Sequence, residues 1–250
     1  MANVPIPKRL VPPRTDKAKG DLAEQAYHSI LDQILRGTLG IGSVLSRRNL
    51  AAKLGMSFVP VSEAFQRLEM EGLLESRPRA GTRVKIPTIS EARDRFELRE
   101  ALECQAARLC SERASFEERL ELKRAAKNVD TLFVKAASKE FDDDFIFAVQ
   151  KYHVDLHMKV AGYARSEALR SAIEKNHVLV FNWLYDTAMR RRTLPRSFHE
   201  GLINAILDKS PEEAEEAMRA HVRYGVEAVL SYLALAPETR KWRVKRKIRP

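Results

Sequence analysis

The stretch Leu45 to Val84, LSRRNLAAKLGMSFVPVSEAFQRLEMEGLLESRPRAGTRV, constrains this chain more tightly than any other. Leu50, Ala51 and Leu54 set an apolar helical stripe, Gly55 ends it, Met56 fills the turn, and Ser57 offers an N-cap hydroxyl to the next helix. Two short helices therefore meet at a tight turn. The second carries Val61, Ala64, Phe65 and Leu68 at core spacing, with Phe58, Val59, Ser62 and Gln66 on its other faces. Pro60 is tolerated there because first-turn amides have no intrahelical acceptor. Gly72 stops the helix. Leu73-Leu74-Glu75-Ser76 and Thr82-Arg83-Val84-Lys85-Ile86 then read as a strand pair around the basic turn Arg77-Pro78-Arg79-Ala80-Gly81. A helix pair followed by a hairpin with a basic tip is a winged helix-turn-helix, with the second helix as reader and the tip as wing.

With Leu39-Gly40-Ile41-Gly42-Ser43-Val44-Leu45 upstream, the order of residues over roughly 22 to 86 resembles the DNA-binding domain of the GntR family of bacterial transcription regulators. The resemblance is carried by Gly55 through Phe65, then by Arg67-Leu68-Glu69 and Glu71-Gly72-Leu73. It places Arg48 where the family has a DNA-contacting arginine. Phe58 and Ser62 depart from the pattern, because the family commonly has arginines there. The fold expectation is unaffected, but no operator sequence carries over. The expected DNA-contacting set is Arg47, Arg48, Ser57, Phe58, Val59, Ser62, Arg67, Arg77, Arg79 and Gly81. The arginines would meet phosphate and the minor groove, while Phe58 and Val59 would meet thymine methyl groups and favour A·T steps.

Charge supports this division of labour. The net charge of +10 comes from residues 1–88 at +6 and residues 239–250 at +7, which leaves the middle of the chain at −3. Basic excess is confined to the DNA module and the tail, as expected if only those parts meet phosphate. Cys104 and Cys110, the two cysteines, sit inside an apolar helical pattern and read as buried small hydrophobes of a reducing compartment. No run approaches the roughly 18 apolar residues of a membrane span, and MANVPIPKRLVPPR has no apolar signal core. A cytoplasmic protein with no membrane partner is expected.

Taken in order, residues 1–20 read as a disordered basic arm, and Asp21 as the cap of a helix with the stripe Leu22, Ala26, Ile30, Leu31, Ile34 and Leu35, stopped by Gly37. The winged domain spans 21–86. Residues 87–90 read as a linker in which Ser90, followed three residues later by Arg93, is an N-cap without a capping box. Residues 91–236 show only helical periods, with helices expected at 91–112, 116–137, 142–163, 167–192, 196–208 and 211–234. Ser115, Ser166, Ser197 or Pro195, and Ser210-Pro211 are their start signals. Short connections imply antiparallel neighbours, so the fold class is mainly α: a winged helix-turn-helix followed by an all-helical bundle. Residues 237–250 form a basic tail. Arg93 through Glu103, with the pattern below, resembles the effector domain (FCD) of the FadR subgroup of GntR regulators.

His153 and His157 are four apart on an expected helix, so their imidazoles share one face and can share a metal ion. His199 and His221, within SFHEGLINAILDKSPEEAEEAMRAH, resemble the subgroup's paired metal-binding histidines. That resemblance supplies an aspartate four residues before the first histidine. Aligning His157 with that histidine puts His153 at the aspartate position and gives four ligands, whereas aligning His153 leaves Val149 there and gives three. Either set suits a divalent late first-row ion, Zn, Ni or Fe, better than Mg or Ca. Arg99 matches an arginine that in the resembled subgroup faces the effector pocket, and Glu103 at i+4 offers it a salt bridge instead.

These readings describe a DNA-binding transcription regulator, a repressor acting as a homodimer on an inverted-repeat operator. Its affinity would be controlled by a small organic or sugar acid bound between the metal and Arg99. The competing reading is a metal-dependent hydrolase using the histidine cluster. It leaves residues 22–86 without a role, and HExxH, a phosphate loop and a nucleophile-base pair are missing from the sequence.

Overall fold

A computed structural model describes residues 22–138, 143–187 and 194–235. The basic arm, the Asp21 cap, the tail and the expected run of the fourth bundle helix to 192 lie outside the described residues. Two compact units divide between Pro87 and Thr88.

In the first unit, α1 (Leu22–Leu35) packs on α3 (Phe58–Met70), burying Ala26, Ile30 and Ile34 on one helix and Val61, Phe65 and Leu68 on the other. Between them α2 (Arg47–Leu54) starts at Ser46, whose hydroxyl accepts the Asn49 amide, and ends at Gly55 with φ +64°, a left-handed conformation that costs glycine nothing. Ser57 does stand at the N-cap of α3, but its hydroxyl makes no cap hydrogen bond. Pro60 is the cause: it occupies the third helical position, where the amide that a capping hydroxyl reaches is missing. The wing pairs β2 (Leu74–Arg77) antiparallel with β3 (Gly81–Val84), in register Leu74 with Val84 and Arg77 with Gly81. Its turn needs positive φ at Arg79 (+61°) and Gly81 (+93°). A third strand, the two-residue β1 (Val44–Leu45), pairs with β3, giving the order β1-β3-β2. Periodicity had no purchase on so short a strand.

The second unit is all helical among the described residues: α4 (Ile89–Arg113), α5 (Phe116–Ser138), α6 (Asp143–Tyr163), α7 (Glu167–Thr187), α8 (Phe198–Asp208) and α9 (Pro211–Leu235). The expectation at Ser90 is corrected. Thr88 is the N-cap of α4 and closes a capping box, its hydroxyl accepting the Glu91 amide at 3.1 Å while Glu91 Oε2 accepts the Thr88 amide at 2.9 Å. Counting from Thr88 puts an acceptor at the third position, whereas counting from Ser90 puts Arg93 there, which cannot accept. Ser115 with Glu118 and Ser210 with Glu213 make the same reciprocal pair at the starts of α5 and α9.

Helix α4 packs against α6, α7 and α8, and α5 against α6 and α8. Alanines allow the close approach: Ala106, Ala161 and Ala164 are buried with Ile173, flanked by Leu102, Leu109, Met158 and Leu169. No described helix is long and apolar enough to cross a membrane. Thr88→Ala should cost about 1 kcal/mol in chemical denaturation of the helical unit, and Ser90→Ala less than about 0.5 kcal/mol, which separates the two caps.

Candidate functional site

On the winged unit the expected DNA-contacting residues fall into two groups. Phe58 (50% exposed) and Val59 (62% exposed) stand out from the first turn of α3 into solvent, an unusual position for large apolar side chains. Ser57, Arg48, Arg77, Arg79 and Gly81 are exposed as well, with Arg77 in a loose 3.7 Å ion pair to Glu75. The second group is turned inward. Arg47 lies over the Phe65 ring and 3.5 Å from Glu69. Ser62 is half-buried, and its hydroxyl is shielded without a partner.

Arg67 is the clearest difference from the sequence reading, because its guanidinium lies 3.7 Å over the Tyr27 ring and is shared by two acids. It binds Glu24 at 2.7 Å and Glu71 at 3.1 Å, and the Tyr27 hydroxyl donates to Glu71 at 2.7 Å. These contacts tie the reader helix to α1. Burial, with help from Glu71, pushes the Tyr27 phenol far above its usual range, so it stays a donor.

In the helical unit, His153 and His157 on α6 and His221 on α9 converge. The Nε2 atom of His157 lies 3.0 Å from that of His153 and 3.1 Å from that of His221, and the last two are 3.5 Å apart. His199, at the start of α8, lies beside them, its ring centroid 4.8 Å from that of His153 and 5.3 Å from that of His221, but it is not one of the three whose ring nitrogens all come within 4.8 Å of one another. Its Nε2 is buried and unpartnered. Val149, the other residue offered at the aspartate position, lies in the apolar core. Burial first, then the neighbouring imidazoles, hold His153 and His221 well below the usual histidine range, and burial takes His157 down to about 4 despite Glu103. The rings are therefore neutral near pH 7, the form that can donate a lone pair.

Two carboxylates support the cluster. Glu103 on α4 contacts Nδ1 of His157, takes a short hydrogen bond from Arg99 Nε, and lies 3.0 Å from His177 Nε2, close enough for attraction but off the line of a hydrogen bond. Burial alone would raise the Glu103 carboxyl, but Arg99, His157 and His177 outweigh it and hold it well below the carboxylate range. The salt bridge anticipated for Arg99 therefore forms, but in the interior: both side chains are 3% exposed. Asp130 on α5 accepts from His199 Nδ1 at 2.7 Å and from the His199 and Glu200 amides at 2.9–3.1 Å. Ser197, anticipated as the α8 start signal, sits at its N-cap in a left-handed conformation and makes no side-chain cap, so Asp130 does the capping from another helix.

The donor set suits a divalent late first-row ion. Nitrogens held about 2.0–2.1 Å from one tetrahedral zinc lie about 3.3 Å apart, which the observed separations bracket. His199 adds a buried Nε2 without a hydrogen-bond partner among the described residues. Glu103, His157 and His177 also approach one another, but Arg99 already occupies the cation position there. The sequence reading offered His153 and His157 from their spacing and His199 and His221 from the family resemblance. It missed Asp130, which sits 69 residues from His199, and gave Glu103 only as a neighbour of Arg99.

Comparison with known proteins agrees with this architecture. Residues 22–84 match the model for bacterial regulatory proteins of the gntR family, and residues 94–224 match the FCD domain. A probable D-xylose utilization operon transcriptional repressor of Paenarthrobacter nicotinovorans is 30% identical over 80% of this chain and 85% of its own. The HTH-type transcriptional repressor RspR of Escherichia coli is 24% identical over 82% of this chain and 88% of its own. The solved structure of E. coli McbR/YncC shares the fold with a TM-score of 0.67 at 21% identity, covering 85% of this chain and 99% of that one. By these matches, which span both units, the chain belongs to the GntR family of bacterial transcription regulators and carries its DNA-binding domain followed by an FCD domain.

Proposed function

We propose that this protein is a repressor that binds an inverted-repeat operator as a homodimer. In this reading it senses a small organic or sugar acid at a metal ion held by His153, His157, His199 and His221. The observation that carries it is the convergence of the His153, His157 and His221 imidazoles, with the buried, unpartnered Nε2 of His199 beside them. GntR proteins with an FCD domain are DNA-binding transcription regulators and not enzymes, so the hydrolytic reading of the cluster is set aside. FCD domains bind metal in some family members, and both relatives described above are repressors by name.

The ion would bring positive charge into a buried place with four neutral ligands, where it polarises an anion bound beside it. Arg99 supports the same chemistry. Its guanidinium is joined to the cluster through Glu103, which contacts His157 as well, and only its Nε is hydrogen-bonded to that carboxylate. A carboxylate could take the remaining N–H groups in the paired geometry that guanidinium favours. An acid acting this way changes DNA affinity only by binding one arrangement of the protein better than another. A thermal-shift screen of organic and sugar acids on metal-loaded protein tests the reading. At least one acid should raise the melting temperature, and His199→Ala or Arg99→Ala should abolish the shift. Finding neither a bound ion in metal analysis nor an acid-dependent shift would remove the sensing function.

At the DNA, exposed Phe58 and Val59 favour thymine methyl contacts, and Arg48, Arg77 and Arg79 favour phosphate. The slope of log affinity against log salt counts phosphate contacts. It should therefore fall by about one unit per subunit in Arg48→Ala or Arg79→Ala. Arg67→Ala, whose side chain is spent on Tyr27, Glu24 and Glu71, should weaken binding while leaving the slope unchanged.

The depressed histidines set a pH dependence in the metal-free protein. Unfolding returns His153, His157 and His221 to about 6.5, so between that pH and about 4 the unfolded chain binds more protons than the folded one. Their contribution is complete above pH about 6.5 and is lost as pH falls. Glu103 adds a further loss below about 4.3 for the same reason. Calorimetry on the metal-free protein should show the helical unit's melting temperature falling from pH 7 to pH 4.5; a flat profile would contradict neutral, buried imidazoles.

A further inference from the structure

We propose that Glu103 and Asp130 are positioning residues that lock His157 and His199 as their Nδ1–H tautomers, so that the Nε2 lone pair of His157 faces the cluster and that of His199 stays bare beside it before any ion arrives. The inference deepens the metal reading above, yet its first test does not need a metal.

The argument starts from which groups can donate. Glu103 is buried and receives the Arg99 Nε–H, and a carboxylate held ionised by a guanidinium can only accept. The atom of His157 that meets Glu103 Oε2 is Nδ1. Nδ1 must therefore carry the proton, and in a neutral ring Nε2 is then a bare lone pair. That atom is the one lying 3.0 Å and 3.1 Å from the Nε2 atoms of His153 and His221.

The same reasoning applies, on different helices, to His199. Asp130 already accepts two backbone amides of α8, from His199 and Glu200, so the carboxylate meets donors on every side. His199 Nδ1, 2.7 Å away, is a third donor. Its Nε2 is left buried and without a partner, and a buried lone pair with no donor costs free energy unless an electrophile fills the place. His221 provides the contrast. Its Nδ1 is buried without a partner, so no carboxylate decides its tautomer. Two donors are thus fixed, His157 on α6 within the cluster and His199 on α8 beside it, while the tautomer of His221 is left free to adjust.

A carboxylate behind an imidazole also raises the basicity of the nitrogen in front and keeps the ring from rotating away. Glu103 ties this effect to Arg99. One carboxylate balances the arginine and aims the imidazole, so exchanging it for an amide would remove the charge that does the first and leave only a weaker, neutral acceptor for the second.

The experiment uses full-length protein labelled with 15N-histidine, stripped of metal with a chelator and held at pH 7.5. Long-range proton–nitrogen correlation spectra distinguish the two tautomers, and His157→Gln and His199→Gln assign the two rings by loss of signal. The expected result is protonated Nδ1 and bare Nε2 at both rings, with Glu103→Gln changing the His157 pattern and leaving His199 unaltered. Zinc titration against a chromophoric chelator should then show Glu103→Gln binding about 10–100-fold more weakly than the parent. Nε2–H or exchanging tautomers at either ring in the parent overturns the proposal, as does a Glu103→Gln variant with the parent's spectrum and zinc affinity. A parent with both rings locked but no zinc affinity upholds the tautomer assignment and removes the metal reading instead.

Discussion

A single buried carboxylate, Glu103, holds the interior of the helical unit in its present arrangement. It is 2% exposed and faces Arg99 on its own helix, His157 on α6 and His177 on α7. Removing a charge of this kind from water costs several kcal/mol, which only close, complementary partners offset. Taking away one partner would leave the others uncompensated, at a cost on the order of 3–5 kcal/mol. Three helices are therefore committed to one electrostatic arrangement, and the packed alanines of α4 and α6 let them come close enough to maintain it.

The winged unit shows the same economy in an exposed setting. Arg67 stacks on Tyr27 and bridges Glu24 and Glu71, so a residue on the reader helix that looks suited to phosphate instead fixes that helix against α1. The side chains exposed towards solvent instead are Arg48, the α3 tip and the tip of the wing. Phe58 and Val59 are apolar and exposed at that tip, and under the readout proposed above they favour thymine methyl groups over guanine edges.

Much of this was legible in the chain. Helical periods of the bundle and the turn at Gly55 are local signals, and the six bundle helices begin within two residues of their expected starts, because capping and apolar spacing act over three or four residues. The four histidines could be named from spacing and resemblance. Three things escaped for physical reasons. The cap of α4 depends on which residue finds an acceptor three positions on, a choice between Thr88 and Ser90 that the apolar pattern does not make. Strand β1 is two residues long and exists only because β3 lies beside it. Asp130 reaches His199 from a different helix, and tertiary contact of that kind leaves no periodic trace.

Asp130 also has a dynamic consequence. The same carboxylate starts α8 and orients the imidazole of its second residue, through amide bonds to His199 and Glu200 and a ring bond to His199 Nδ1. Fraying of the first turn of α8 and loss of the ring's aim are thus one molecular event rather than two. The lifetime of the oriented donor is set by the opening rate of a helix end, and the slow exchange of a single backbone proton, the Glu200 amide, keeps time for the side chain beside it.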